Sequence, residues 1–162
     1  MKQRLYILLC AIILSISAGT TFAAERFLSG LQKMDGITSV YIGKSMLKMV
    51  GSNFSDTKLF AGTGMTGNVL NNIDCIDIVT AETEKAANHV RSLIDTNLKR
   101  MPELELAMET EEDGEYTRIY VQPSPDGDSY KRMLIIVSEP DEVNVIDMQG
   151  SIKANEIEKF NF

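Results

Sequence analysis

The residues that most resemble a chemical site are three glycines in the stretch 61–67, whose letters AGTGMTG spell G-x-G-x-x-G. In dinucleotide-binding proteins such glycines form a tight turn between a strand and a helix, and the N-terminus of that helix binds the pyrophosphate. The crossover to a parallel strand needs a helix of about 10 residues. Only NVLNN separates Gly67 from the strand-like run that begins at Ile73, so we interpret the motif as a loop and predict no cofactor.

The residue types used most often in nucleophilic and metal chemistry are scarce in this chain. His89 is the only histidine, and it lies off the apolar stripe of a predicted helix, so we expect it to face solvent. One histidine without cysteine or histidine companions makes no transition-metal site. The pattern also gives no serine a credible His–Asp set, so it indicates no catalytic triad. The sequence therefore identifies no catalytic residues and no metal ligands.

Cys75 lies in a run that predicts a strand. The residues expected on the same strand face are Ile73, Asp77 and Val79. These neighbours favour a partly buried, inert thiol, and the alternative is a reactive thiol or a disulfide between two chains.

Five acidic residues lie around Asp113–Gly114, a dipeptide that strongly predicts a hairpin turn. They are Glu109, Glu111, Glu112, Asp113 and Glu115. Oxygen-rich turns attract hard cations, but the ligand order of an EF-hand is absent. A solvated acidic rim is the simpler interpretation, and weak cation binding is the alternative.

The stretch YTRIYV places Tyr116, Arg118 and Tyr120 on one face of a predicted strand. Tyrosine and arginine are enriched at the energetic centres of protein interfaces. They are also common on exposed sheet faces, where packing across strands explains them. We therefore treat these three residues as a candidate interaction surface.

The first 23 residues have the organisation of a secretory signal peptide. Lys2 and Arg4 form a basic head, an uncharged apolar run follows, and Thr21 and Ala23 supply the small residues before a cleavage site. The run is shorter than the roughly 20 residues that span a bilayer, so we predict no membrane span after cleavage. The sequence thus predicts a periplasmic or otherwise exported protein.

Cleavage after Ala23 would leave residues 24–162, about 139 residues and the size of one domain. The net charge of −7 would become about −9, because the signal peptide carries two of the sixteen basic residues and none of the 23 acidic ones. A domain with this much negative charge repels the phosphate backbone of nucleic acids, so we predict no nucleic-acid partner. Cys75 would be the only cysteine left, so no internal disulfide is expected.

Helical spacing of apolar residues recurs in three segments before Pro102, namely 25–34, 44–51 and 84–100. Thr83 is placed to cap the third helix. The apolar stripe of that helix consists of Ala86, Ala87, Val90, Leu93, Ile94 and Leu98. Residues 52–71, which include the glycine motif, are loop-like.

β-branched and aromatic residues predict strands over 37–43 and 73–81. After Pro102 the apolar period changes to two, which predicts a four-stranded meander followed by a short helix over 154–160. The fold class is therefore α+β, with helices packed on one face of a mostly antiparallel sheet. The run MLIIV (133–137) is apolar on both faces and predicts a buried central strand, whose second face is covered by loops, a second subunit or a partner.

The order of these pieces resembles the exported proteins, found mainly in Bacteroidetes, that are catalogued as domain of unknown function 4252. The resemblance lies in the entry GITSVYIGKSMLKM, in IDCIDIVTAE, and in the final strand that runs through Gly150 into a short helix. It implies export and one compact domain, and it supplies neither an activity nor site residues.

Two functions from different classes follow from these observations. The first is a non-enzymatic envelope protein that acts by binding another protein or by self-association. The alternative is a domain that binds a small ligand or a cation through the 52–71 loop or the acidic 109–115 hairpin.

Overall fold

The computed structural model describes residues 26–28, 31, 34–53 and 67–157. The predicted signal peptide (1–23) lies outside the described residues, as do most of the predicted loop and part of the predicted first helix. The elements, in chain order, are β1 (Ile37–Gly43), α1 (Lys44–Asn53), α2 (Gly67–Asn72), β2 (Ile73–Ala81), α3 (Glu84–Arg100), β3 (Glu105–Glu112), β4 (Glu115–Pro123), β5 (Ser129–Ser138), β6 (Val143–Lys153) and α4 (Ala154–Ile157).

The described strands form one six-stranded sheet in the order β1-β2-β6-β5-β4-β3, and each neighbouring pair is antiparallel. The last four strands are neighbours in chain order, which confirms the meander. The predicted α+β class with an antiparallel sheet is confirmed at this level.

Helix α3 covers one face of the sheet, which we call the α3 face. It spans Glu84–Arg100 as predicted, and the side chain of Thr83 caps it by accepting a hydrogen bond of 3.3 Å from the amide of Ala86. The predicted stripe packs into one apolar cluster with Val79 of β2 and Val145 of β6. His89 lies on the outer side of the helix and is exposed, as predicted.

Other helices cover the opposite face, which we call the α1 face, so the prediction that the helices pack on one face was wrong. Leu47 of α1 and Leu70 of α2 belong to a second buried cluster with residues of the sheet. Strand β5 lies between the two clusters, with Leu134 facing one and Met133 facing the other. This position explains why the run 133–137 is apolar on both sides.

A β-bulge in β3 changes the faces that two apolar residues occupy. Strict alternation predicted that Leu106 and Met108 share a face, but the register shifts between them. Leu106 lies opposite Tyr120 and Met108 lies opposite Ile119, on the other side of the sheet. One extra residue in a strand reverses its alternation, so the predicted pattern was wrong at this point.

A second bulge lies in β2, between Ile73 and Cys75, and it separates the faces of these two residues as well. There Ile73 pairs with Gly150 of β6. A Cβ atom at Gly150 would lie 2.4 Å from the carbonyl oxygen of Asn72 and 2.7 Å from the Cα of Ile73. Only glycine permits so close an approach of two backbones.

The helices differ from the predictions at their ends. The helical segment predicted over 44–51 ends at Gly51, but α1 continues to Asn53. Helix α4 begins where the short C-terminal helix was predicted, and residues 158–160 of that prediction lie outside the described part of the chain. None of the helices in the described ranges is both long and apolar enough to cross a bilayer.

Candidate interaction surfaces

The three residues predicted to form an interaction surface share one face of β4. Tyr116, Arg118 and Tyr120 lie opposite β5 residues of the α3 face, and each is partly buried. The Nε of Arg118 donates a hydrogen bond of 2.6 Å to Oε2 of Glu109, and its guanidinium carbon lies 4.3 Å from the centre of the Tyr116 ring. The arginine is therefore held between an acid on β3 and an aromatic ring on β4.

The surroundings determine the charge of this surface. The hydrogen bond to Glu109 raises the pKa of the Arg118 guanidinium, and burial raises the pKa of the Tyr120 phenol. Leu106, which lies opposite Tyr120 on β3, is 51% exposed. We call the surface formed by Tyr116, Arg118, Tyr120, Glu109 and Leu106 the β4 face. It presents one positioned arginine, paired with a glutamate, among aromatic and aliphatic groups.

The acidic hairpin is built on the predicted turn. Asp113 and Gly114 have φ values of 52° and 86° and connect β3 directly to β4, which is the two-residue turn that asparagine or aspartate followed by glycine favours. Glu109 is engaged by Arg118. Within the ranges that the structure describes, no three acidic, histidine or cysteine side chains converge to hold a metal ion.

A cleft of about 250 Å³ lies beside this hairpin. Its lining residues are Thr110, Glu111, Glu112, Glu115, Tyr116, Thr117, Val137 and Glu139. Three of the five acids predicted around the turn, Glu111, Glu112 and Glu115, thus line a shallow acidic depression next to the β4 face.

The glycine motif does not have the surroundings of a dinucleotide site. Residues 54–66 lie outside the described ranges, but the two strands that flank the motif are described. They pair antiparallel, whereas a nucleotide-binding crossover connects parallel strands. Gly67 begins α2, which has six residues and is shorter than such a crossover helix.

Sequence reasoning missed a buried group of charged residues on the α3 face. Asp77 of β2 and Asp147 of β6 are register partners, and they are 4% and 2% exposed. Arg132 of β5 donates two hydrogen bonds of 2.7 Å to the carboxylate of Asp147. Arg26 donates hydrogen bonds of 2.7 and 2.6 Å to the carboxylate of Asp77. We call these four residues the buried charge cluster.

The buried charge cluster connects the N-terminal segment to the sheet. The amide of Phe27 donates to Oδ2 of Asp147 at 3.3 Å, and the carbonyl of Phe27 accepts a bond of 2.6 Å from Nδ2 of Asn97 on α3. Arg26 also donates to Ser39, and its guanidinium lies 5.1 Å from the ring centre of Tyr41 on β1. Both carboxylates already accept bidentate bonds, so the arrangement is typical of a structural network and not of a general base awaiting a substrate.

A sequence signal for the cluster was present. Asp77 in IDCIDIV and Asp147 in VNVIDM each lie directly between two apolar residues of a strand. Because buried carboxylates are almost always paired, a buried position of these two aspartates would have indicated a cationic partner for each. The identity of the partners could not be predicted, because Arg26 lies 51 residues from Asp77 and Arg132 lies 15 residues from Asp147.

Comparison with protein families shows where the chain belongs. A family model described as Domain of unknown function (DUF4252) matches residues 31–160. The chain is a member of this family. No curated protein matches the chain.

The DUF4252 match covers the whole sheet and the candidate surfaces, including the β4 face, Asp77, Arg132 and Asp147. Arg26 and Phe27 precede the matched residues. Gly150, one of the residues on which the resemblance rested, is the glycine at the close backbone approach between β6 and β2.

Cys75 of the DUF4252 domain is expected to be unreactive in the folded protein. The residue is 2% exposed, and burial raises the pKa of its thiol. Because the thiolate is the nucleophile, we expect iodoacetamide to label Cys75 at least about tenfold more slowly in the folded chain than in urea. Peptide mass spectrometry would measure this difference. Equal rates, or chains joined through Cys75, would support the alternative of a reactive or intermolecular thiol.

Proposed function

We propose that this DUF4252 protein is exported to the cell envelope and acts there by binding another protein, without catalysing a reaction. The N-terminal 23 residues support export, and the acidic balance of the remaining chain disfavours nucleic acids as partners. The single observation that carries the binding role is the β4 face, where a positioned arginine lies among tyrosines and an exposed leucine.

The geometry of the β4 face suits binding for a physical reason. Arg118 is already held by Glu109 and Tyr116, so it loses little conformational freedom when a partner docks. Tyr116 and Tyr120 are partly buried against the apolar cluster under α3, which limits their rotation. Rigid tyrosines and a positioned arginine are typical of the residues that contribute most to interface affinity.

The binding role predicts the effect of replacing Arg118. In-cell crosslinking followed by mass spectrometry should recover a specific partner, and Arg118→Ala should lower its yield by about tenfold or more, as expected for a central interface residue. The matched control is Arg100→Ala, which removes an exposed arginine from the end of α3 and should leave the yield unchanged.

Both variants should have melting temperatures close to that of the parent protein, because a partly exposed ion pair contributes about 1 kcal/mol or less to the free energy of unfolding. Recovery of no partner, or equal recovery with both variants, would contradict binding through the β4 face.

A second candidate function is the binding of a small ligand in the acidic cleft beside the 113–114 turn. The observation that favours it is the cleft of about 250 Å³ lined by Glu111, Glu112, Glu115 and Glu139. Metal binding has less support, because the described acids do not converge. A ligand that binds only the folded state raises the melting temperature by mass action. A metabolite and metal panel that produces no shift would remove this candidate.

A further inference from the structure

The two edge strands of the sheet differ greatly in how well they are protected against pairing with a further strand. β3 carries glutamates at Glu105, Glu109, Glu111 and Glu112, and a bulge interrupts its ladder. Charges and bulges on an edge are the usual means by which proteins prevent pairing with a further strand. β1 has the sequence ITSVYIG, with no charge and no proline, and its pairing with β2 is regular over all seven residues.

The β1 edge also exposes apolar side chains on both of its faces. Val40 is 45% exposed on the α1 face, and Tyr41 is 52% exposed on the α3 face. Met46, at the start of the adjoining helix, is 52% exposed. Among the described residues the sheet ends at β1, so alternate backbone groups of this strand point away from β2 without a strand partner.

The charge around β1 differs from that of the whole chain. The continuous segment Ile37–Asn53, which contains β1 and α1, has no aspartate or glutamate, although the chain has a net charge of −7. Two copies of an acidic protein repel each other over most of their surface. Strand β1 itself is uncharged, and the two charged residues of this segment, Lys44 and Lys48, are cations. The surplus of acidic groups that drives the repulsion is therefore absent from this segment, and two copies can approach there.

From these observations we propose that β1 is a self-association edge, at which β1 of a second copy adds in antiparallel orientation across a two-fold axis. The two six-stranded sheets then become one continuous sheet. This inference goes beyond the proposed binding role, because it uses the opposite edge of the sheet from the β4 face and a second copy of the chain as the partner. The two ideas can therefore fail independently.

Full overlap of two seven-residue strands determines the register. The central residue of Ile37–Gly43 is Val40, so the two Val40 side chains meet at the axis and Ser39 of each copy lies opposite Tyr41 of the other. A row of aliphatic side chains already crosses the sheet from Val40 through Ile78 and Ile146. The contact at the axis extends this row into the second copy and removes the exposed valine from water.

The competing arrangement pairs β1 of one copy with β3 of the next. It would bury the edge glutamates beside an uncharged strand and would meet the bulge near Ala107, so the ladder would be broken. It would also leave one edge unpaired at each end and produce an open polymer. The two-fold arrangement closes at two copies and leaves only the two β3 edges exposed, which their glutamates and bulge protect.

Sedimentation of the purified protein over a range of concentrations tests the proposal. The expected species is a dimer, and Val40→Lys should raise its dissociation constant by about tenfold or more, because an edge lysine opposes strand pairing. The matched control is Leu106→Lys, which places the same charge at a similarly exposed apolar residue on the other edge and should leave the dimer intact. A monomer at all concentrations, a dimer that survives Val40→Lys, or a polymer that both lysines disrupt would each overturn the proposal.

A second measurement covers the case in which Val40→Lys does not fold. With Cys10 and Cys75 replaced by alanine, Val40→Cys should form disulfide-linked dimers on mild oxidation, because directly opposed residues lie within the distance that a disulfide spans. Leu106→Cys in the same background should stay monomeric on denaturing gels. Crosslinking of neither cysteine, or of both equally, would contradict the two-fold pairing. Loss of the in-cell partner in Arg118→Ala, with the dimer retained, would separate the two binding roles.

Discussion

Arg132→Met is expected to lower the free energy of unfolding by about 3–5 kcal/mol, because it leaves the buried carboxylate of Asp147 without its partner. The side chains of Arg132 and Asp147 are 8% and 3% exposed, and the neighbouring residue across the strand pair is another carboxylate, Asp77. Urea denaturation followed by circular dichroism measures the change.

The control for this prediction is a second arginine–carboxylate pair on the same sheet. Arg118 and Glu109 are 32% and 40% exposed at similar donor–acceptor distance, so Arg118→Met should cost about 1 kcal/mol or less. The double variant Arg132→Met/Asp147→Leu should recover much of the loss, since it removes both charges together. A loss for Arg132→Met no larger than that for Arg118→Met would show that the buried pair contributes little.

Gly150→Ala is expected to lower the free energy of unfolding by about 3 kcal/mol, because its methyl group would collide with backbone atoms that cannot rotate away. The nearest atoms are the carbonyl oxygen of Asn72 and the Cα of Ile73, both closer than any ordinary contact of a Cβ. Relief of this contact requires β6 to separate from β2 at the bulge. The same denaturation experiment provides the measurement.

Gly43→Ala is the matched control, since Gly43 also lies in a strand and its added Cβ would meet only the Tyr41 side chain at 3.5 Å. We expect this change to cost under about 1 kcal/mol. If both variants lost the same stability, the close approach at Gly150 would not be the cause. The contrast would also explain physically why Gly150 is part of the pattern on which the family resemblance rests.

Prediction from the sequence succeeded where the information is local. The limits of α3 follow from Thr83, from the apolar spacing and from Pro102, which are all within the helix or next to it. The prediction of a turn at Asp113–Gly114 succeeded because these two residue types favour positive φ values.

Prediction failed where a residue is positioned by distant parts of the chain. The separation of Leu106 from Met108 depends on a bulge that forms only when β3 pairs with β4. The packing of α1 on the face opposite α3 depends on how the chain leaves β1. The buried charge cluster depends on contacts across the sheet, which alternation along one strand does not reveal.

For the candidate interaction surface, too, the local features could be predicted from the sequence and the contacts between strands could not. The placement of Tyr116, Arg118 and Tyr120 on one face follows from the period of two and is confirmed, whereas the Glu109 partner of Arg118 depends on the register of β3. The asymmetry of the two sheet edges was visible in composition, but only the strand order shows that β1 and β3 are the edges.

The sequence by itself determined the acidic balance, the α+β class, helix α3 and the hairpin turn, because each depends on composition or on neighbours within a few residues. The signal peptide stays a prediction from the sequence. The tertiary structure decided which strands lie at the edges, which faces the helices cover and which charges meet in the core. These features arise from pairing between segments that are distant in the sequence. One inserted residue moves the following side chains to the other face of the sheet, and a buried acid pairs with an arginine from another part of the chain.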